Sequence, residues 1–86
     1  MYTVVFTKKA IKDVNKLKAA NLSEKAKKLV ELLKENPYAI PPSYEKLVGD
    51  LSGAYSRRIN IQHRLIYSID EGSKTVKIIR MWTHYE

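Results

Sequence analysis

The stretch Leu51-Ser52-Gly53-Ala54-Tyr55-Ser56-Arg57-Arg58-Ile59-Asn60-Ile61-Gln62-His63-Arg64-Leu65-Ile66-Tyr67 decides the fold. Residues 55–61 alternate as a strand, with Tyr55, Arg57, Ile59 and Ile61 on one face and Ser56, Arg58 and Asn60 on the other. Gln62-His63 reads as a bend. Residues 64–69 form the returning strand, with Leu65, Tyr67 and Ile69 opposite Arg64, Ile66 and Ser68. Three arginines and a histidine therefore sit on one hairpin. A rigid sheet fixes the direction of a guanidinium, and a fixed guanidinium suits a phosphate.

The elements on either side complete the pattern. Downstream, Asp70-Glu71-Gly72-Ser73 is a turn with a glycine available for positive φ, and residues 75–82 make a last strand. Upstream, residues 37–53 carry Pro37, Pro41, Pro42, Gly49 and Gly53 and read as a long loop. Tyr44, Leu47 and Leu51 can pin that loop to the body. Two amphipathic helices precede it. The first, capped by Thr7, buries Ala10, Ile11, Val14 and Leu17 and wets Lys8, Lys9, Lys12, Lys16 and Lys18. The second, capped by Ser23, buries Ala26, Leu29, Val30, Leu32 and Leu33 and stops at Asn36-Pro37. Residues 2–6 form an opening strand. The order β-α-α-β-β-β predicts an α+β fold, an antiparallel sheet with two helices over one face, as a single domain spanning 1–86.

Charge narrows the partners. Sixteen Lys and Arg against nine Asp and Glu give a net charge of +7, suited to nucleic acid, an anionic surface or an acidic protein. The chain has no cysteine and two histidines, so neither a thiolate site nor a zinc site is expected, and no cofactor. No apolar run approaches the ~20 residues that span a membrane. The opening residues Met1-Tyr2-Thr3-Val4-Val5-Phe6 are not read as a signal peptide, and the expected setting is the cytoplasm.

Arg58 and Arg64 lie on neighbouring strands and can converge on one anion; they read either as a phosphate clamp or as a solvated face with surface ion pairs. Arg57 alternates to the other face and reads as structural, at the sheet edge. His84 follows the last strand and reads either as a surface residue near the chain end or, if the last residues curl back beside Arg64 and Arg58, as an imidazole that can move protons near neutral pH. Tyr85 beside it offers a ring for stacking on a base, or packs at the domain edge. Glu45, in the stiffened loop, is either surface decoration or a general base. His63 reads as a turn or sheet-edge residue rather than as a second catalytic imidazole. A carboxylate, two arginines, an imidazole and a stacking ring suit metal-free RNA cleavage, because the RNA supplies its own 2′-hydroxyl as nucleophile.

Glu45, Leu47, Leu51-Ser52-Gly53, Tyr55-Ser56-Arg57-Arg58-Ile59, His63-Arg64-Leu65-Ile66-Tyr67 and His84-Tyr85 together resemble the YoeB/Txe toxins of the RelE superfamily, from bacterial type II toxin–antitoxin modules. The resemblance implies a RelE-like fold and a ribosome-dependent mRNA endonuclease acting in the ribosomal A site. On that resemblance Glu45 matches the general base and His84 the general acid. Arg64 and Arg58 match the contacts to phosphate and transition state, and Tyr85 the residue that orients the mRNA. The implied partners are the 70S ribosome with its mRNA and a YefM/Axe-like antitoxin of the Phd type; toxin homodimers also occur in the family. Two other functions remain open on sequence: a ParE-like toxin that inhibits gyrase by binding alone, and a basic RNA-binding module.

Overall fold

The computed structural model describes residues 1–49 and 53–84, the last two of these as backbone. In chain order the elements are β1 (Thr3–Phe6), α1 (Lys8–Ala19), α2 (Ser23–Glu35), β2 (Glu45–Lys46), β3 (Ala54–Arg58), β4 (His63–Asp70) and β5 (Thr75–His84). The strands form one sheet in the order β1-β5-β4-β3-β2. The class is α+β with two helices, as expected. The sheet is mixed: β1 runs parallel to β5, while the other neighbours are antiparallel. The hairpin of helices carries the chain from β1 to the far edge, where β2 runs opposite to β1, and three antiparallel steps then bring β5 back beside β1 in the same direction. No helix among the described residues is long and apolar enough to cross a membrane.

Leu17 from α1 and Leu29 and Leu33 from α2 pack on Leu65, Tyr67, Val76, Ile78 and Met81 of the sheet. Thr7 caps α1, accepting from the Ala10 N–H at 3.1 Å and donating to the Ile79 carbonyl at 2.7 Å, which also ties the helix to β5. Two helix expectations are corrected. Ser23 is the first residue of α2 rather than its cap; Leu22 holds the cap position, and no side chain caps that end. Ile11 is 59% exposed, and the position that α1 buries is Asp13, at 1%. Its carboxylate is buried because it has several donors to satisfy it.

Those donors belong to β5. Asp13 Oδ2 accepts from the Met81 N–H at 2.9 Å and the Trp82 N–H at 3.2 Å, and the carboxylate takes Arg80 Nε at 2.9 Å and Nη2 at 3.2 Å. Burial works to raise the Asp13 pKa. The hydrogen bonds from Arg80 and the two N–H groups, with the charge of Arg80, outweigh it and hold the carboxyl below the ordinary aspartate value.

The hairpin also departs from expectation at its bend. β3 ends at Arg58 because Asn60 Oδ1 accepts from the N–H groups of Gln62 (2.9 Å) and His63 (2.7 Å), closing a turn earlier than alternation implies. Ile61 is left exposed, and His63 opens β4, its ring stacked on Trp82 at 3.9 Å. The last strand runs to His84. In the β4–β5 turn the left-handed backbone falls on Lys74 (φ +53°) and not on Gly72.

Arg57 is buried completely, and not at the sheet edge, since β2 lies beyond β3. Its Nε donates to Tyr67 Oη at 2.9 Å, Nη2 to the Pro37 carbonyl at 2.8 Å and Nη1 to the Pro42 carbonyl at 2.5 Å. The guanidinium lies 4.8 Å from the Tyr44 ring centre, and Tyr44, Tyr55 and Tyr67 form a chain of ring contacts beside it. One side chain thus fastens both ends of the proline segment. The segment then continues into β2, so the expected loop contains a short strand. Tyr38 within it, and Tyr2 from the N-terminus, both donate to Glu71 in the β4–β5 turn. Leu51, the expected third anchor, lies outside the described residues.

Two expectations follow. Arg57→Lys replaces a fork with a single ammonium that cannot reach three acceptors, and a buried carbonyl left without a donor costs roughly 1–3 kcal/mol. Urea unfolding should show a loss of about 2–3 kcal/mol, with amide exchange quickening over residues 38–46; an unchanged midpoint would remove the clamp. For Asp13 the folded pKa is depressed, so its stabilising charge is fully present above about pH 4 and is lost as the pH falls through the lowered value. Asp13→Asn should therefore cost about 2 kcal/mol at neutral pH, and the gap to wild type should close in acid. A gap constant with pH would show that the charge contributes nothing.

Candidate functional site

The face of the sheet opposite Arg57 carries the polar cleft. Pleating sends Ser56 and Arg58 to the other side of β3 from Arg57. The register pairs Arg58 with Arg64 and Ser56 with Ile66 across β3 and β4, and Glu45 with Ser56 across β2 and β3. Pro42, Ser43, Glu45, Ser56, Arg58 and Arg64 line a cleft of about 180 Å³. The structure thus gathers Glu45, Arg58 and Arg64, which are far apart in the chain.

Arg64 is the centre of this group. It is 4% exposed; its Nη1 donates to Ser56 Oγ at 3.1 Å and lies 3.4 Å from Glu45 Oε2. Ser56, itself 1% exposed, fixes one prong of the fork. The Glu45 side chain is 62% exposed, so the carboxylate forms the solvent-facing wall of the cleft and the buried Arg64 its floor. Arg58 is exposed at the rim. A buried cation beside an exposed one, with an acceptor that can swing away, is an arrangement that can take up an anion with more than one oxygen.

Ser56 was not singled out as a site residue on sequence. The signal was present, since alternation places it on the face of Arg58, but serine in a strand carries no distinctive chemistry until its partner is known. His84 closes β5, where its backbone pairs with His63, while Thr83 pairs with Arg64. The backbone of His84 is therefore one residue beyond the position opposite Arg64. Tyr85 lies outside the described residues. Arg57 and His63 do not line the cleft.

The model of the "YoeB-like toxin of bacterial type II toxin-antitoxin system" family matches residues 6–85. A curated relative, Toxin YoeB of a Synechocystis strain, is 36% identical over 58 residues, which are 67% of this chain and 65% of that protein's length. Among solved structures, a YoeB/ParE toxin from Agrobacterium tumefaciens superposes with a TM-score of 0.85 at 29% identity, covering 96% of this chain and 99% of that one. A YoeB from Staphylococcus aureus, solved in a heterotetrameric YoeB–YefM complex, superposes at 0.80 with 30% identity and 99% of both chains. The same species' YoeB dimer superposes at 0.78 with 31% identity and 98% of both. With a family match over residues 6–85 and superposition on YoeB structures along nearly its whole length, this chain belongs to the YoeB-like toxins of bacterial type II toxin–antitoxin systems.

Proposed function

We propose that this chain is an endoribonuclease that cuts mRNA in the A site of the 70S ribosome, without a metal ion, and so arrests translation. The observation that carries the reading is Arg64, buried in the sheet and aimed between Ser56 and Glu45 with Arg58 at the rim. A cation held in that way needs no reorganisation when negative charge grows on a phosphate.

The scissile phosphate takes the place of the Glu45 carboxylate at Arg64, which frees Glu45 to accept the proton of the adjacent 2′-hydroxyl. The 2′-oxygen attacks phosphorus, and Arg64 and Arg58 stabilise the dianionic phosphorane. His84 gives its proton to the departing 5′-oxygen as the P–O5′ bond breaks. The products are a 2′,3′-cyclic phosphate and a 5′-hydroxyl. Tyr85 orients the mRNA. The nucleophile comes from the substrate, so the chemistry calls for no activated water. The exposed lysines of α1 provide long-range attraction to a polyanion. A YefM-like antitoxin with an acidic segment fits the charge of +7 and would neutralise the toxin by covering the cleft; a homodimer, as in the Staphylococcus aureus YoeB dimer, is a further assembly consistent with the family.

The deciding measurement is cleavage on purified programmed 70S ribosomes using protein treated with EDTA, with the fragment ends analysed. Glu45→Ala and His84→Ala should each lower the rate by about 10²–10⁴-fold, with ribosome binding retained. Ser56→Ala leaves Arg64 without its fixed acceptor and should cost roughly fivefold, about 1 kcal/mol. Cleavage unchanged in His84→Ala would remove the acid. A folded wild type that arrests growth without cutting mRNA would replace nuclease activity with inhibition by binding.

A further inference from the structure

We infer that Asp13, on α1 and away from the cleft, is a positioning residue that sets the register of the distal end of β5 and so fixes where His84 is delivered. The inference rests on the nuclease reading for its kinetic consequence, but not for its structural one.

β5 is regular only along its first half. Its register with β4 runs Tyr67 to Ile78, then Ile66 to Arg80, then Arg64 to Thr83. One step on β4 is matched by two on β5, and the next two by three, so β5 carries an extra residue in two places. Such bulges change which residues fall on each face, and a slip of one residue exchanges the faces of everything beyond it. Something must hold them in place, and β1 does not reach them. Its pairing with β5 ends at Phe6 opposite Ile78, followed by the Thr7 contacts to the Ile78 and Ile79 carbonyls.

Beyond that point Asp13 takes over as the neighbour of β5. In a regular strand consecutive N–H groups point to opposite edges. Here those of Met81 and Trp82 both turn to the same carboxylate oxygen, and Arg80 grips the carboxylate from the preceding position. Three consecutive residues of β5 are thus locked to one buried side chain, two positions before His84. The opposite side is fixed by the pairing of His63 with His84 and the stack of His63 on Trp82. Neutral or shorter side chains at position 13 lose this lock in part or in full.

Trp82 is the single tryptophan of the chain, so its emission reports the distal end of β5 without any RNA. Asp13→Asn keeps an oxygen for the two N–H groups and loses the charge that Arg80 grips; Asp13→Ala loses both. Each variant, shown to be folded by far-UV circular dichroism, is examined by Trp82 emission and by single-turnover cleavage on programmed ribosomes across a range of enzyme concentrations. The expected result for Asp13→Ala is a red-shifted Trp82 emission and a maximal rate lower by about a hundredfold. The half-saturating concentration should stay within about threefold of wild type, with Asp13→Asn intermediate in both readouts. If Asp13→Ala does not fold, Asp13→Asn carries the test alone. Unchanged emission overturns the inference, whatever the rate does; so does a shifted emission with an unchanged rate, because His84 would then not depend on the lock. If wild type itself fails to cleave, the nuclease reading falls, and the emission alone decides whether Asp13 sets the strand.

Discussion

The guanidinium of Arg57 is the constraint on which the rest depends. It is charged, fully buried, and satisfied by two carbonyls, a hydroxyl and a ring face. Its position in the triplet Ser56-Arg57-Arg58 makes the pleat act on both sides of the sheet at once. The middle residue fastens the proline segment behind the sheet, and its neighbours project into the cleft in front. Since the proline segment runs directly into β2, and β2 pairs with Ser56, the same five-residue strand sets both where Glu45 sits and what it faces.

Asp13 is the counterpart of Arg57 with the sign reversed. Arg57 gathers backbone carbonyls of an irregular segment; Asp13 gathers backbone N–H groups of an irregular strand. Each is a buried ion that binds main-chain dipoles, Asp13 together with the Arg80 guanidinium, and each holds a stretch of chain where the pairing is irregular. Against an apolar replacement of the same shape such ions gain little, because desolvation offsets much of their attraction, whereas removing one partner alone is costly. What they provide is geometry: they have one arrangement that satisfies them, and the surrounding backbone has to adopt it.

Much of this was legible in the sequence, and what was not has physical reasons. The helices followed from apolar spacing, and the hairpin from alternation through residues 55–67. Arg58 and Arg64 were placed together because the bend between them is short. Glu45 stood out in the stiffened loop only as one of two readings, surface decoration or base, since nothing local distinguishes them; the family resemblance favoured the base. Asp13 was hidden: on a helix an aspartate reads as part of the wet face, and only the long-range contact to β5 shows why it is buried. Ile11 was misplaced for the same reason, because a polar residue took the inward position. The parallel pairing of β1 could not be read either, as edge choice depends on how the helical hairpin lies across the sheet. His63 was assigned to the bend because the turn made by Asn60 is a side-chain effect that alternation does not see.

The central position of β5 has a consequence for synthesis. β5 is the last of the described elements to be translated, yet it lies between β1 and β4 and forms the surface on which α1 packs. Domains fold as units while the chain emerges, at roughly 5–20 residues per second. Until Thr75–His84 has cleared the exit tunnel, β1 has no neighbour, Asp13 has no N–H groups to hold, and Leu17 and Leu33 have no sheet to cover. The nascent toxin therefore carries Arg57, Arg58 and Arg64 without a frame that aims them until β5 has joined the middle of the sheet.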